Sequence, residues 1–262
     1  MSFEPVYRAA IASGKIAFAA LDLRVRSAGA EHLPRAGPVI LASNHVSFPD
    51  FLFVGDALLD TRRRVRFLCR ADIWSSAAVG RAMDAMQHVP VDREAPAGAY
   101  LQARGLLRRG EVVCAFPEAG ISAAYVVRAL MPGAVALARE TGAPLVPVNV
   151  WGAARLWGQK RALDAPFPRP LPVRGLTIDV RVQEPIQVAP DADLVTTTRL
   201  LGERLHAGLE ELQRLPEHQP RPGEWAPWHP AHLGGDAVER VASYTLDAMP
   251  QSAIVPTWGP GI

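Results

Sequence analysis

Short apolar runs alternate with amphipathic stretches through most of the chain. Six runs rich in β-branched and other apolar residues are typical of buried strands, at 38–43, 65–69, 88–91, 111–116, 145–150 and 177–186. Between and after them, apolar residues recur at helical spacing and predict helices over 48–59, 75–86, 97–109, 133–141 and 193–215. Strands that alternate with helices indicate an α/β fold. The pattern therefore predicts a mixed, largely parallel sheet flanked by helices.

The N-terminal segment is apolar but carries regularly spaced charges. On a helix over residues 5–23, Arg8, Lys15 and Asp22 form one narrow polar stripe, because they recur every seven residues. A membrane-spanning helix needs about 20 largely uncharged residues, and these charges interrupt the segment too often. The segment predicts an amphipathic helix. The sequence leaves open whether this helix lies in a membrane surface or packs on its own domain.

The C-terminal part of the chain differs in composition from the rest. It is rich in proline and contains Trp225, Trp228 and Trp258, a composition that predicts an irregular tail around one short helix near 235–248. Tryptophan suits a membrane interface, but we expect the tail to wrap its own domain. The chain therefore divides into an N-terminal amphipathic helix segment, an α/β domain and a tail, at residues 1–28, 29–215 and 216–262.

Composition excludes several classes of protein. With 49% hydrophobic residues the chain can bury a core, so it is not disordered as a whole. The formal net charge of +2 is far from the basic excess of a dedicated nucleic-acid binder, and we expect no nucleic-acid partner. Cys69 and Cys114 lie in apolar runs, which predicts buried free thiols, and the sequence has no zinc-site spacing. We therefore expect no metal site.

Polar segments follow three of the predicted strands. In an open α/β sheet, ligands bind outside the carboxyl ends of the strands. NHVSFPD (44–50), VDR (91–93) and FPEAG (116–120) fall at those ends. His45 stands five residues before Asp50, and a carboxylate at a helix start can accept the imidazole Nδ1–H. Such a contact leaves Nε2 as a base for a hydroxyl that attacks an activated acyl group.

The segment before Asp50 also has a purely structural interpretation. Ser47 and Asp50 have the spacing of a helix-capping box, and Pro49 is tolerated in the first turn of a helix. This interpretation does not explain Asn44 and His45 at the strand end. It also does not prevent a capping carboxylate from contacting the imidazole, so the residues alone leave both interpretations open.

NHVSFPD resembles the NHxSxxD block of the 1-acylglycerol-3-phosphate acyltransferases, part of the glycerophospholipid acyltransferase family. VPVDR (89–93), FPEAGIS (116–122) and APLVPVNVWG (143–152) resemble the second, third and fourth blocks, in the same order. The resemblance covers roughly residues 30–155. It implies an O-acyltransferase that uses acyl-CoA or acyl carrier protein as co-substrate and needs no bound cofactor. The N-terminal helix also resembles the family's membrane-associated segment.

The resemblance implies a role for each matching residue. His45 would be the general base on the acceptor hydroxyl, Asp50 would orient it, and Asn44 would shape the loop. Arg93 would bind the phosphate of the acceptor. Glu118 would form the acceptor site together with the turn that follows it.

The third block departs from the family pattern FPEGTRS. Ala119, Gly120 and Ile121 replace its glycine, threonine and arginine, so a phosphate contact is lost. Arg128 is a candidate to replace that contact. The implied acceptor site therefore includes Gly120, Ser122 and Arg128. The acceptor stays open between lysophosphatidic acid, another lysophospholipid and a different lipid alcohol.

The resemblance also implies partners and a location. A lipid acceptor and an acyl donor would meet on a peripheral or monotopic protein at the cytoplasmic face of the membrane, in phospholipid biosynthesis. The arginine run at 61–70 suits anionic headgroups or the phosphates of coenzyme A, and equally suits a solvated loop. No oligomeric state follows from the sequence.

Two other functions compete with acyl transfer. Residues 120–124 are close to the G-x-S-x-G nucleophile elbow, which would make Ser122 the nucleophile of a lipase or esterase with His206 or His218 as its base. Against this, the last glycine of the elbow is Ala124. The other alternative is a non-catalytic peripheral membrane protein anchored by the first helix and the arginine run. The complete histidine–aspartate pair favours the acyltransferase.

Overall fold

A computed structural model describes residues 4–92, 95–247 and 250–261. In this part of the chain one sheet contains strands β1 to β7: Arg24–Ala28, Val39–Ser43, Val65–Arg70, Val89–Val91, Val112–Ala115, Leu145–Trp151 and Thr177–Val182. The α-helices α1 to α8 are Pro5–Ala20, Asp50–Ala57, Ala77–Ala85, Ala97–Arg108, Gly133–Thr141, Ala154–Trp157, Leu194–Gln213 and Arg240–Ser243.

The sheet is mixed and largely parallel, as the sequence predicts. Its strand order is β1-β7-β6-β2-β5-β3-β4. The strands from β6 to β4 run parallel to their neighbours. β7 is antiparallel to β6, and β1 is parallel to β7. The carboxyl ends of β2, β5 and β6 therefore open at one edge of the sheet, and β2 lies between the other two.

The core has two halves, one on each face of the sheet. Val39 and Leu41 of β2 belong to a cluster with α2, whereas Ile40 and Ala42 belong to a cluster with α4, α5 and α7. Every residue of β2 is buried. A strand covered on both faces has a continuous apolar run rather than an alternating pattern, which is why the sequence signal was strong there.

Helix α1 packs on its own domain. The Tyr7 hydroxyl donates to the Val65 carbonyl oxygen at 2.8 Å, and the ring of Phe18 stacks on a ring of α2 with centroids 4.9 Å apart. Glu4 and Arg66 form a buried ion pair at 2.7 Å. The described ranges contain no helix with the length and apolar character needed to cross a bilayer.

The arginine run at 61–70 forms neither a solvated loop nor one continuous basic patch. It contains the whole of strand β3, and Arg66 is only 1% exposed. The Arg63 guanidinium donates to the backbone carbonyl oxygen of Pro34 at 2.8 Å, and Arg64 pairs with Glu4 at 3.2 Å. These arginines hold the first helix and the loops near β3 in place.

Strand β1 is the element that sequence analysis missed. Residues 24–28, which were assigned to the N-terminal segment, pair with β7 at the sheet edge. Their side chains are mostly exposed and include two arginines, so the segment lacks the apolar pattern of a strand. The tail packs on the domain, where Trp258 donates through Nε1 to the Val127 carbonyl oxygen at 3.2 Å. The division into three regions stays a prediction.

Candidate active site

Two loops meet at the shared edge of β2 and β5. The His45 backbone N–H donates to Oε1 of Glu118 at 2.7 Å, and the Ser122 N–H donates to the His45 carbonyl oxygen at 3.0 Å. The imidazole stacks on the ring of Phe116, with centroids 4.2 Å apart. Because β2 and β5 are parallel neighbours, the segments that leave their carboxyl ends are brought into contact.

The imidazole of His45 is oriented by Asp50. Its Nδ1 lies 3.0 Å from Oδ2 of Asp50, whose side chain is fully buried, while the His45 side chain is 19% exposed. The Asp50 carboxylate also accepts the backbone N–H groups of Val46 and Ser47, both at 2.8 Å, and the Ser47 hydroxyl. A carboxylate surrounded by donors accepts the Nδ1–H. The imidazole is thereby held in the tautomer whose Nε2 can take a proton.

The same carboxylate also starts helix α2. The helix begins at Asp50, and its preceding residue, Pro49, makes no side-chain cap. Asp50 instead accepts the Ser47 backbone N–H, which is one half of a capping box. The structural and the catalytic interpretations of Asp50 are therefore compatible, because one side chain makes both sets of contacts.

Asn44 ties the histidine loop to the neighbouring strand β6. Its Nδ2 donates to the Val150 carbonyl oxygen at 3.0 Å, and its Oδ1 accepts the Val150 N–H at 2.9 Å. The side chain is fully buried. Asn44 is therefore placed to shape the loop and not to contact a substrate directly.

Glu118 is buried and bridges two backbone segments. Besides the His45 N–H, its carboxyl accepts the Arg128 backbone N–H at 2.9 Å. Burial raises the pKa of Glu118 to about 8, although the hydrogen bonds from Arg128 and His45 act in the opposite direction. Since Glu118 is only 1% exposed, its carboxyl holds the His45 backbone through the hydrogen bond from the His45 N–H and does not face an acceptor.

Arg128 is held against the tail. Its guanidinium lies 3.5 Å from Oδ1 of Asp247, and Oδ2 of Asp247 accepts the Ala123 N–H at 3.3 Å. Burial raises the pKa of Asp247, and the positive charge of Arg128 opposes that shift. A Cβ on Gly120 would come within 3.0 Å of the Arg128 guanidinium, so the small residue makes room for this pair.

Asp247 is a residue that sequence reasoning missed. It lies 124 positions after Ala123, whose N–H it accepts, in a segment predicted only to wrap the domain. No local motif could have identified it. The sequence contained one weak signal. The third block lacks its usual arginine, and Arg128, the candidate to replace it, would need an acidic partner from elsewhere in the chain if it were buried.

Ser122 has the environment of a structural serine. It is 1% exposed, and its hydroxyl accepts the Val126 backbone N–H at 3.3 Å. The two histidines considered as its base have other partners. His206 faces Glu210 at 3.7 Å, and His218 pairs with Asp179 at 2.7 Å. The geometry does not favour a nucleophile elbow at this serine.

The predicted site residues thus form one connected network, with one exception. Hydrogen bonds or ion pairs link Asn44, His45, Asp50, Glu118, Ser122 and Arg128 to the loops around β2, β5 and β6, and Gly120 lies beside the Arg128 guanidinium. Arg93 lies outside the described residues. Within the described ranges, no three His, Cys, Asp or Glu side chains are grouped to hold a metal ion.

Both cysteines are free, as predicted. Cys114 of β5 is fully buried, and Cys69 of β3 is partly buried. Burial raises the pKa of the Cys69 thiol to about 12 and that of Cys114 further still. Neither thiol is therefore in a state suited to act as a nucleophile at neutral pH.

Comparison with known proteins identifies relatives in one family. The family "Acyltransferase" matches residues 24–151. A chloroplastic 1-acyl-sn-glycerol-3-phosphate acyltransferase of Brassica napus is 30% identical over 132 residues, which cover 49% of this chain and 37% of the relative. The corresponding chloroplastic enzyme of Arabidopsis thaliana is 28% identical over 137 residues, which cover 51% of this chain and 37% of the relative. The matched part is thus little more than a third of each relative's length.

The fold has a counterpart among solved structures. The crystal structure of the 1-acyl-sn-glycerophosphate acyltransferase of Thermotoga maritima superposes with a TM-score of 0.64 and 22% sequence identity, over 79% of each chain. At this level of identity the likeness concerns the fold. The family match over residues 24–151 confirms the resemblance seen in the sequence, and the structural likeness agrees with the predicted fold.

Proposed function

We propose that the protein is an O-acyltransferase that moves a fatty acyl group from acyl-CoA or acyl carrier protein to a hydroxyl of a lysophospholipid or glycerol-phosphate-type acceptor. The observation that carries this proposal is the contact between Nδ1 of His45 and the buried Asp50 carboxylate, at 3.0 Å. The names of the Brassica napus and Arabidopsis thaliana relatives support the acceptor class.

The geometry supports a direct transfer to the acceptor with a general base. Nε2 of His45 takes the proton of the acceptor hydroxyl as its oxygen attacks the carbonyl carbon of the thioester. Asp50 stabilises the imidazolium that forms. Backbone N–H groups at the site stabilise the oxyanion of the tetrahedral intermediate. When the intermediate collapses, the C–S bond breaks and the thiolate leaves with the proton from His45, so no covalent enzyme intermediate is needed.

We also propose that this chemistry takes place at a membrane surface, with the protein bound peripherally or monotopically at the cytoplasmic face. Both the acceptor class and the long acyl chain of the donor belong at a lipid interface. No bound cofactor enters any step of the proposed reaction, and phospholipid biosynthesis is the process that it would serve.

The proposal is tested by thiol release from acyl-CoA, measured with a panel of lysophospholipids and glycerol phosphates. His45→Ala should lower the rate by about 100-fold or more, because general-base catalysis contributes at least that factor. The matched control is His32→Ala. His32 follows β1, which runs opposite to β2, so it lies at the other end of the strands from His45. Near-normal transfer by His45→Ala would refute the mechanism.

A second arm separates acyl transfer from serine hydrolysis. Ser122→Ala should retain most of the transfer activity, and a fluorophosphonate should not label Ser122, because its hydroxyl is buried and bonded to the backbone. Loss of activity in Ser122→Ala together with covalent labelling of the wild-type protein would favour the hydrolase instead.

A further inference from the structure

The loop between α6 and β7 exposes large apolar side chains. Leu163 and Phe167 are each 65% exposed and Leu171 is 59% exposed, although the loop lies beside the candidate active site. Trp225 of the tail is also 65% exposed, and the Arg161 guanidinium of the loop lies over its ring at 4.6 Å. We name these four apolar side chains, with the basic residues of 158–174, the loop patch. Apolar side chains concentrated in this way indicate an interaction surface.

The charge of the loop patch restricts the kind of partner. Residues 158–174 contain one acidic residue, Asp164, and four basic residues, Lys160, Arg161, Arg169 and Arg174. Basic side chains that surround exposed apolar ones complement an anionic lipid surface. The apolar groups enter the acyl-chain boundary while the cations contact the headgroups.

The backbone of the loop also suits a lipid interface. Prolines alternate with other residues from Pro166 to Pro172, so four of these seven peptide groups carry no N–H donor. A backbone N–H that enters a bilayer without a partner is costly, and this segment has few to satisfy. The proline rings also restrict the unbound loop, so less conformational entropy is lost when it binds.

The loop patch is continuous with the candidate active site. The Phe48 ring lies 5.1 Å from the Phe167 ring and 4.9 Å from the Trp157 ring. Phe48 is three residues after His45, and its backbone N–H donates to the Trp157 carbonyl oxygen at 3.0 Å. The Trp157 indole N–H in turn donates to the Pro168 carbonyl oxygen at 2.8 Å, so the loop is fastened to the site. A lipid in contact with the loop patch would thus lie close to His45.

We propose that the loop patch is the surface that docks the protein on an anionic lipid bilayer and brings the His45 site to the lipid acceptor. The docking itself stands on the exposed patch and its charges, and its link to catalysis rests on the proposed function. Helix α1 has a different role in this proposal. Its Tyr7 and Phe18 face is already buried against the domain.

The test is co-sedimentation of the purified full chain with phosphatidylcholine vesicles that contain or lack phosphatidylglycerol. The double variant Leu163→Ser/Leu171→Ser should bind anionic vesicles about tenfold or more weakly, because two exposed apolar side chains no longer enter the bilayer. The matched control is Leu101→Ser/Leu200→Ser, which removes exposed leucines from α4 and α7. Thermal melting of both variants checks that the fold is retained.

Charge and competing surfaces are tested in the same assay. Arg161→Glu/Arg169→Glu should weaken binding to anionic vesicles and leave the weak binding to neutral vesicles unchanged. Val6→Ser/Ile16→Ser tests the exposed side of α1 and should retain most of the binding. The proposal is overturned if the loop variant binds like wild type, if the α1 variant alone abolishes binding, or if the patch instead mediates self-association in size-exclusion chromatography.

Activity measurements keep this proposal separate from the proposed function. With detergent-dispersed acceptor the loop variant should release thiol at the wild-type rate, whereas with vesicle-embedded acceptor its rate should fall with binding. If wild type binds vesicles through the loop patch but releases no thiol with any acceptor, the acyltransferase proposal fails and the docking surface stands. If transfer is normal in detergent but the loop variant keeps full binding, only the docking surface fails.

Discussion

The two loops that meet at His45 are organised in different ways. In the histidine loop, residues 44–50, the base, its orienting carboxylate and the donors to that carboxylate lie within one short segment. In the loop after β5, residues 116–128, the Arg128 side chain and the Ala123 backbone N–H are held by Asp247, which lies 124 positions after Ala123. The histidine half of the site is thus specified locally, whereas the loop after β5, the half that we propose for the acceptor, is assembled by the tertiary fold.

This difference bears on what the site accepts. Where the family pattern has an arginine, this chain has the buried Ile121, and the nearest candidate replacement, Arg128, is 5% exposed and faces Asp247. A phosphate that approached Arg128 would compete with a carboxylate already in contact. The proposed base is therefore complete, while the acceptor half differs from the family pattern.

The largest effect is expected from breaking the locally specified half. Asp50→Asn should lower kcat by about 100-fold, because an amide does not hold the Nδ1–H tautomer or stabilise the imidazolium. The variant should also melt at a lower temperature, since Asp50 accepts two backbone N–H groups. Thiol release under saturating substrate measures kcat. A rate within threefold of wild type would mean that Asp50 serves only to start helix α2.

Breaking the long-range half should affect binding more than chemistry. Asp247→Asn removes the charge that faces Arg128, so the loop after β5 should loosen and KM for the acceptor should rise by about tenfold. Meanwhile kcat should change by less than about threefold. The free energy of unfolding should fall by about 3 kcal/mol, because a buried charge loses its partner. The control is Glu239→Gln, which neutralises an exposed carboxyl in the same tail. An effect confined to kcat would contradict the division between the two halves.

The fold could be predicted where burial leaves a periodic pattern, and it could not where the element is exposed. β2 was predicted because four of its five residues are apolar and the strand is covered on both faces. β1 was missed because its side chains, two arginines among them, are mostly exposed at the sheet edge and give no apolar pattern. The strand within the arginine run was predicted, but the burial of Arg66 against Glu4 was not, because the charges of such a run are usually solvated.

The contacts of the candidate site could be predicted where they are local in sequence, and they could not where they join distant segments. The spacing of His45 and Asp50 is enough to indicate their contact, because a helix start holds the carboxylate nearby. The contact of Asp247 with the loop after β5 depends on how the tail crosses the domain, and no periodicity or motif encodes that path. The sequence also did not predict the burial of Glu118, since a carboxyl after a strand end is more often solvated.

A pH experiment tests how the buried Glu118 carboxyl links the two halves. Its pKa is about 8 in the folded protein and about 4.3 in an unfolded chain. Between these values the folded state binds the proton more tightly, so the free energy of unfolding should fall as pH rises from about 4.3 to about 8. Glu118→Gln should lack this part of the slope. Urea unfolding at pH 5 and pH 8 measures the difference, and equal slopes for both proteins would show that Glu118 is already ionised at pH 5.

The smallest effect concerns the backbone of the third block. Ala119 has a φ of 53°, in the left-handed region that glycine adopts without strain, and glycine is the residue of the family pattern at this position. Ala119→Gly should raise the free energy of unfolding by about 0.5–1 kcal/mol, the relief of left-handed strain less the added entropy of the unfolded chain. Gly120→Ala is the matched opposite, because its Cβ would press on Arg128 at 3.0 Å, and it should destabilise the loop. If Ala119→Gly instead lowers the free energy of unfolding and leaves the acceptor KM unchanged, Ala119 does not strain the backbone of this turn.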